Sequence, residues 1–164
     1  MINLVPATTV QHLHIIEKLA IEIWNEHYTP IIGKAQVDYM LDKFQNVDAM
    51  LKQIENNYKY FIINYNKTDI GYLAFKIVDS DLFLSKIYIL KDFRGKSFGK
   101  QAMDFVSKQA QISECITITL TVNKYNSNSI KAYEKIGFIN SEELVQDIGY
   151  GFVMDDYKMV KTLV

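Results

Sequence analysis

The sequence contains little cysteine and almost no excess charge. Cys115 is the only cysteine in 164 residues, which excludes an intramolecular disulfide and a cysteine-based zinc cluster. The formal net charge of −1 argues against a general nucleic-acid-binding protein, because such a protein needs a basic excess to displace counterions. No apolar run approaches the ~20 residues of a membrane span, and the start MINLVPATTV does not resemble a signal peptide. We therefore expect a cytoplasmic protein with no nucleic-acid or membrane partner.

The composition also limits the domain count and the kinds of site. Hydrophobic residues make up 49% of the chain, which is enough for a core on both faces of a sheet. Without a linker-like segment or an internal repeat, we predict a single domain over residues 1–164. His12 and His14 are two apart on a predicted helix and point in different directions, so no metal site is expected. Cys115 is predicted to be a buried, inert thiol.

The hydrophobic period changes from helical to strand-like and back along the chain. The expected elements are a strand at 2–8, a long helix that ends before residue 30, two helices at 35–44 and 48–57, a strand meander at 59–66, 70–79 and 81–90, a helix over 98–112, a strand at 116–122, a helix over 127–136, and final strands around 137–140 and 152–163. This order predicts an α/β (α+β) fold. It is a mixed, mostly antiparallel central sheet with helices on both faces and one β-α-β crossover.

Basic residues and glycines are concentrated in one turn between a strand and a helix. The segment FRGKSFGK contains Arg94, Gly95, Lys96, Ser97, Gly99 and Lys100. The first N–H groups of a helix lack intrahelical partners and attract anions, so the turn predicts a phosphate site. The P-loop pattern fails because only three residues separate the two glycines and Gln101 follows Lys100. The dinucleotide pattern Gly-x-Gly-x-x-Gly is absent as well.

The same turn resembles the acyl-CoA loop of the GCN5-related N-acetyltransferase (GNAT) superfamily. That loop has Arg or Gln, two residues, glycine, one residue, and glycine or alanine. Arg94 and Gly99 match the pattern, and Ser97 stands where the first glycine is usual. Serine still offers a backbone N–H, and the exchange is tolerable if the backbone angles at that position do not require glycine.

A second segment, LTVNKYNSNSIKAYEKIGF, is similar to the other signature of this superfamily. Asn126, Tyr133, Gly137 and Phe138 lie on its positions, and Ser129 stands where alanine is usual. Asn126 and Gly137 also suit the N-cap and the C′ position of the helix between them. The remaining elements follow the order of the superfamily, so the resemblance covers nearly the whole chain.

The resemblance implies acetyl-CoA as cosubstrate, no metal, and a defined set of binding residues. The loop N–H groups would hold the pyrophosphate, Arg94 and Lys96 would add charge, and the strand before the loop would pair with pantetheine. The implied cofactor-binding residues are Ile87, Tyr88, Ile89, Arg94, Gly95, Lys96, Ser97, Phe98, Gly99, Lys100 and Asn126.

The resemblance further implies direct acetyl transfer to an amine. Tyr133 is the expected acid for the leaving thiolate, and a backbone N–H would stabilise the oxyanion. Many relatives place a glutamate base on the strand before the loop, but this sequence has Phe83 and Ser85 there. Glu26, His27 and an ordered water remain open as the base.

The acceptor amine would be bound by the first helices and the last strands. Trp24, Glu26, Tyr28, Asp155 and Asp156 are the expected acceptor residues, because aromatic rings and carboxylates suit a cation. The first helix and closing segment also resemble a bacterial spermidine and spermine acetylating branch, which implies a polyamine. The alternatives are a protein or peptide amine, and a non-catalytic CoA-binding sensor or partner-binding module. The tyrosine-rich surface is compatible with a homodimer.

Overall fold

A computed structural model describes residues 1–163 of the chain. Its elements are β1 (Asn3–Pro6), α1 (Val10–His27), α2 (Thr29–Ile32), α3 (Lys34–Phe44), α4 (Val47–Glu55), β2 (Lys59–Tyr65), β3 (Thr68–Val78), β4 (Asp81–Ile89), α5 (Phe98–Ile112), β5 (Thr117–Asn123), α6 (Ser127–Lys135), β6 (Ile139–Gly149) and β7 (Phe152–Thr162). A short 3-10 turn, Lys91–Phe93, connects β4 to the glycine-rich loop.

The strands form one seven-stranded sheet in the order β1-β2-β3-β4-β5-β7-β6. β4 and β5 are parallel, and every other neighbouring pair is antiparallel. α5 makes the connection between the parallel strands, as a crossover connection requires. The predicted mixed, mostly antiparallel fold with a β-α-β unit is therefore confirmed.

Two elements differ from the sequence prediction. The strand expected around residues 137–140 is the start of β6, which continues to Gly149 and is exposed over most of its length. β6 is an edge strand held by its backbone pairing with β7, so its sequence does not need alternating apolar residues. α2 is a single helical turn with Pro30 near its start, too short to give a periodic pattern.

Apolar side chains pack against both faces of the sheet. α5 covers one face with Phe98, Ala102 and Val106, and the α1, α3 and α4 helices cover the other.

Thr9 begins α1 with a capping box, in which its hydroxyl accepts from the His12 N–H at 3.2 Å. Cys115 is buried, and burial raises the pKa of its thiol. Within residues 1–163, no helix is both long and apolar enough to span a membrane.

β4 and β5 separate soon after they begin. Their register covers only the pairs from Asp81 with Thr117 to Phe83 with Thr119. A bulge follows at Ser85, because Leu84 opposes Phe75 while Lys86 opposes Ala74. The later part of β4 thus has no strand neighbour on its β5 side, and a gap opens within the sheet.

Candidate active site

A cavity of about 540 Å³ occupies this gap and extends to the ends of the first three helices. Much of its polar and aromatic lining comes from α1 and its C-cap, from β4, from α6 and its N-cap, and from β7, and includes Trp24, His27, Tyr28, Lys86, Tyr88, Asn126, Tyr133 and Asp156. Strands from the middle and the end of the sequence therefore meet the first helix at one place. Trp24, Tyr28 and Asp156, which the sequence predicts as acceptor residues, all line this cavity.

Tyr28, Tyr88 and Tyr133 are three of the four tyrosines that line the cavity. The hydroxyls of Tyr28 and Tyr88 lie 2.9 Å apart, and either one can donate to the other. Burial raises the pKa of Tyr28 to about 12 and raises those of Tyr88 and Tyr133 as well. The ring of Tyr133 packs against Phe138 with centroids 5.7 Å apart. All three phenols stay protonated at neutral pH and can donate a hydrogen bond.

Asp156 is a buried carboxylate on the wall formed by β7. Its side chain is only 8% exposed and shares the cavity-facing side of the strand with Met154. Burial, and to a lesser extent the charge of the neighbouring Asp155, raise the pKa of Asp156 to about 6, although Lys124 opposes both effects. Asp156 can therefore gain and lose a proton near neutral pH, as a general base must.

Asp155 does not line the cavity. It alternates with Asp156 along β7 and forms an ion pair with Lys124, at 2.7 Å between Oδ1 and Nζ. Lys124 also lies 3.5 Å from a carboxylate oxygen of Glu143. The structure thus separates two adjacent aspartates that the sequence prediction treated as one acceptor-binding pair.

Glu26 and His27, the bases considered from the sequence, both contact residues of the predicted CoA site. Glu26 pairs with Arg94 at 2.7 Å, and the Arg94 Nε donates to the carbonyl of Ile89 at 2.9 Å. His27 Nε2 lies 3.1 Å from the Asn126 side-chain amide. Burial and the charge of Arg94 lower the pKa of His27, while Glu26 opposes this shift. The carboxylate of Glu26 is therefore paired with Arg94, and the ring of His27 contacts the amide of Asn126.

Asn126 and Gly137 occupy the two ends of α6 as the sequence predicts. Asn126 is at the N-cap position, but its side chain makes no capping bond and is directed to His27 instead. Gly137 follows the C-cap with φ of 103°, a conformation that suits glycine. The side chain of Asn126 therefore links the start of α6 to the end of α1 through its contact with His27.

The glycine-rich loop has the backbone shape of an anion cradle. Gly95 and Ser97 both have positive φ, 74° and 65°, the left-handed conformation that occurs in anion-binding nests of backbone N–H groups. Ser97 is the N-cap of α5 and its side chain makes no capping bond, so the first N–H groups of the helix stay available. Lys96 and Lys100 are exposed beside them, whereas the Phe98 side chain is buried in the core. This arrangement fits a pyrophosphate.

The left-handed conformation of Ser97 leads to a testable prediction. A side chain is strained there, so Ser97→Gly is expected to raise the free energy of unfolding by about 0.5–1 kcal/mol. Acetyl-CoA affinity should stay within about threefold, because the backbone N–H groups that bind anions are unchanged. Urea denaturation and isothermal titration would measure both quantities.

Gly95→Ser is the matched control, because it places serine in the other left-handed position of the loop and should destabilise the fold by a similar amount. A loss of more than about tenfold in acetyl-CoA affinity for Ser97→Gly would show that the serine hydroxyl, rather than the backbone, binds the phosphates.

Lys86 is a cavity residue that the sequence prediction omitted. It lies within the apolar strand segment LFLSKIYI, and a lysine inside a central strand was the signal that could have identified it. Its ammonium lies 3.0 Å from the Ser85 hydroxyl and 5.9 Å from the ring centroid of Tyr60. Burial lowers the pKa of Lys86 to about 8.

Comparison with known proteins identifies the family. Residues 18–138 match the model of the acetyltransferase (GNAT) family. The chain belongs to this family. GNAT enzymes are acetyl-CoA-dependent N-acetyltransferases, and this GNAT protein is accordingly an acyltransferase that uses acetyl-CoA. The resemblance inferred from the glycine-rich loop and the α6 segment is confirmed.

Solved structures support the GNAT fold over almost the whole chain. The PaiA N-acetyltransferase of Thermoplasma acidophilum, solved with coenzyme A, is 19% identical with a TM-score of 0.83, covering 99% of each chain. A spermidine N-acetyltransferase chimera of Vibrio cholerae SpeG and hSSAT is 20% identical with a TM-score of 0.73, covering 99% of this chain and 95% of the other. The ribosomal-protein-S18-alanine N-acetyltransferase of Escherichia coli is 14% identical with a TM-score of 0.75, covering 99% and 94%.

The comparison structures do not share one named acceptor. One of these enzymes is named for spermidine and another for the alanine of a ribosomal protein. At such low identity these matches establish the fold alone. Within residues 1–163, no group of three or more His, Cys, Asp or Glu side chains is arranged to hold a metal ion.

Proposed function

We propose that this GNAT protein transfers the acetyl group of acetyl-CoA to a primary amine in the cavity, with Asp156 as base and Tyr133 as acid. The observation that carries the proposal is that a carboxylate with a pKa of about 6 and a protonated phenol line the same gap between β4 and β5. These are the two proton-transfer groups that the reaction requires, held on rigid elements.

The loop and the free edge of β4 are the proposed binding surface for acetyl-CoA. Backbone N–H groups from Gly95 to Lys100 bind the pyrophosphate at the start of α5. The backbone of Ile87, Tyr88 and Ile89 is free of strand pairing on the β5 side and binds pantetheine. The cosubstrate supplies the activated acetyl group and a thiolate leaving group.

Asp156 provides the proton acceptor that β4 lacks. A primary amine with a pKa of about 10.4 is mostly protonated at neutral pH and must lose a proton before it attacks. Asp156 is ionised at that pH, faces the cavity, and makes no ion pair among the described residues. The carboxylate first binds the ammonium and then accepts its proton.

Tyr133 provides the proton for the departing thiolate. A thiol with a pKa near 8.5 leaves more easily when it is protonated as its bond breaks. Tyr133 retains its proton at neutral pH because burial raises the pKa of its phenol. α6, which follows β5, holds this residue in the lining of the cavity.

A small cationic amine such as a polyamine is the acceptor predicted from the sequence. Asp156 and the rings of Trp24 and Tyr28 support this proposal, because they give one part of the cavity a cation-binding character. We leave Glu26 and Asp155 out of the proposed acceptor site, because each is paired with a cation of the protein. The cytoplasmic location, the homodimer and the single domain remain predictions.

Release of free CoA thiol from acetyl-CoA tests the proposed reaction. Spermidine, short diamines, simple alkylamines, amino acids and a lysine peptide would be supplied separately, with the Asp156→Asn protein as control. Saturable release that the control lacks would support N-acetylation and rank the acceptors. Binding of acetyl-CoA with no release for any amine would contradict the proposed reaction and favour a CoA-binding module.

A further inference from the structure

Lys86 places a positive charge inside the cavity. The residue follows the β4 bulge, pairs with Ala74, and lines the cavity with its half-buried side chain. No carboxylate among residues 1–163 forms an ion pair with it, and its hydrogen-bond partner is the neutral hydroxyl of Ser85. Proteins seldom keep a half-buried ammonium without a counter-ion, because removing it from water costs free energy.

The groups around Lys86 do not neutralise its charge. The ring of Tyr60 lies beneath the ammonium, and the cavity lining also contains Gln53 and Tyr58, neither of which has a carboxylate. Lys86 itself remains mostly protonated at neutral pH, because its pKa is about 8. Asp156 is the one carboxylate that lines this cavity among the described residues.

Asp156 and Lys86 lie on different sides of the gap. They belong to β7 and β4, which are separated by β5 in the sheet order. Neighbouring strands lie about 4.8 Å apart, so the two backbones are at least about 10 Å apart, and the separation of β4 from β5 adds to this distance. The cavity therefore has a negative charge on one side and a positive charge on the other.

We propose that Lys86 binds a carboxylate carried by the acceptor at the end remote from its reacting amine. The acceptor class is then a short amine with a terminal carboxylate, while a polyamine would bring a second ammonium toward Lys86. This inference rests on the proposed acetyl transfer to a primary amine, and it replaces the polyamine predicted from the sequence with an amine that carries a carboxylate. One ammonium matches the single negative charge of a carboxylate, and Tyr60 beneath it keeps the side chain in the cavity.

Three acceptors of equal chain length test this proposal. δ-Aminovalerate, n-pentylamine and cadaverine each present a primary amine at the reacting end, and their far ends are negative, neutral and positive, respectively. We expect kcat/KM from CoA thiol release to be highest for δ-aminovalerate, by roughly tenfold over n-pentylamine, and lowest for cadaverine. The four-carbon set of γ-aminobutyrate, n-butylamine and putrescine reports the optimal spacing.

Variants of Lys86 identify the source of this preference. Lys86→Met removes the charge at similar length and should abolish the ratio between δ-aminovalerate and n-pentylamine. Lys86→Arg retains the charge and should retain a preference for the carboxylate, whereas Lys86→Glu should reverse the order in favour of cadaverine. An unchanged ratio in Lys86→Met, or a wild-type preference for cadaverine, would overturn the proposal.

A binding measurement separates failure of this inference from failure of the proposed reaction. N-acetyl-δ-aminovalerate and N-pentylacetamide would be titrated into the CoA-loaded wild type and the Lys86→Met protein. Tighter binding of the carboxylate-bearing compound, lost in the variant, supports the role of Lys86 even if no amine is acetylated. Equal binding of both compounds to the wild type would overturn it even if acetylation occurs.

Discussion

Asp156→Asn is expected to lower kcat/KM for amine acceptors by about a hundredfold or more, because general base catalysis contributes ~10²–10⁴. Asparagine has nearly the same shape but cannot accept the proton of the amine. Affinity for acetyl-CoA should stay within about threefold, because the proposed phosphate site is the α5 loop. Thiol release and isothermal titration would measure the two effects. A variant with near-normal kcat/KM would exclude Asp156 as the base.

The pH profile gives a second measure of the same residue. Since the pKa of Asp156 is about 6, wild-type kcat/KM should fall as pH decreases through that value, and the fall should be absent in Asp156→Asn. Asp155→Asn is the matched control, because Asp155 faces away from the cavity and pairs with Lys124. The control should retain an acid limb, shifted to lower pH, because loss of the Asp155 charge lowers the pKa of Asp156.

The pKa of Asp156 also predicts a change in stability. Its folded value of about 6 is above the unfolded value of ~3.9, so the folded state prefers the protonated form. The stability that this preference contributes is present below about pH 4 and is lost as pH rises through about 6. Asp156→Asn should therefore raise the free energy of unfolding by ~2 kcal/mol at about pH 8, and by little at about pH 4.

Urea denaturation at the two pH values checks this expectation. A less stable Asp156→Asn protein at the higher pH would show that the ionised carboxylate is well stabilised in the fold. In that case its pKa would be too low for the proposed proton transfer.

Tyr133→Phe is the second change expected to have a large effect, a decrease in kcat of about 10²–10³ with acetyl-CoA affinity nearly retained. Phenylalanine preserves the packing on Phe138 but has no proton for the thiolate. Steady-state turnover and equilibrium binding of acetyl-CoA would separate chemistry from binding. Loss of affinity alone would instead indicate that the hydroxyl positions the cosubstrate.

Tyr125→Phe is a suitable control for this variant. Tyr125 precedes the same helix but is 71% exposed and does not line the cavity. It should retain wild-type turnover. Equal turnover of Tyr133→Phe and the control would remove Tyr133 from the proton-transfer step.

The family and most of the fold could be predicted from the sequence because their signals are local. The loop between β4 and α5 combines a strand end, glycine-rich turn and helix start within a few residues, and α6 lies between its cap residues. Hydrophobic periods gave the first strand, the long helix, the meander and the crossover. β6 was predicted much too short, because an exposed edge strand is defined by its pairing with β7.

The arrangement of the cavity was decided by the tertiary structure. Asp155 and Asp156 are adjacent in sequence, and only the pairing of β7 with β5 and β6 determines which carboxylate faces the gap. The sequence predicts Arg94 as a phosphate ligand, and the tertiary structure shows that Arg94 forms an ion pair with Glu26 of α1. Lys86 lies on the part of β4 that has separated from β5, and it lines the cavity there.

The sequence alone therefore determined the family, the acetyl donor, the α5 loop and the position of Tyr133, because these depend on residues that are neighbours in the chain. The tertiary structure decided that Asp156 is the carboxylate that lines the cavity and that Lys86 lines its other side. Burial lowers the pKa of Lys86 and is the main cause of the raised pKa of Asp156, and this burial depends on contacts between residues far apart in sequence.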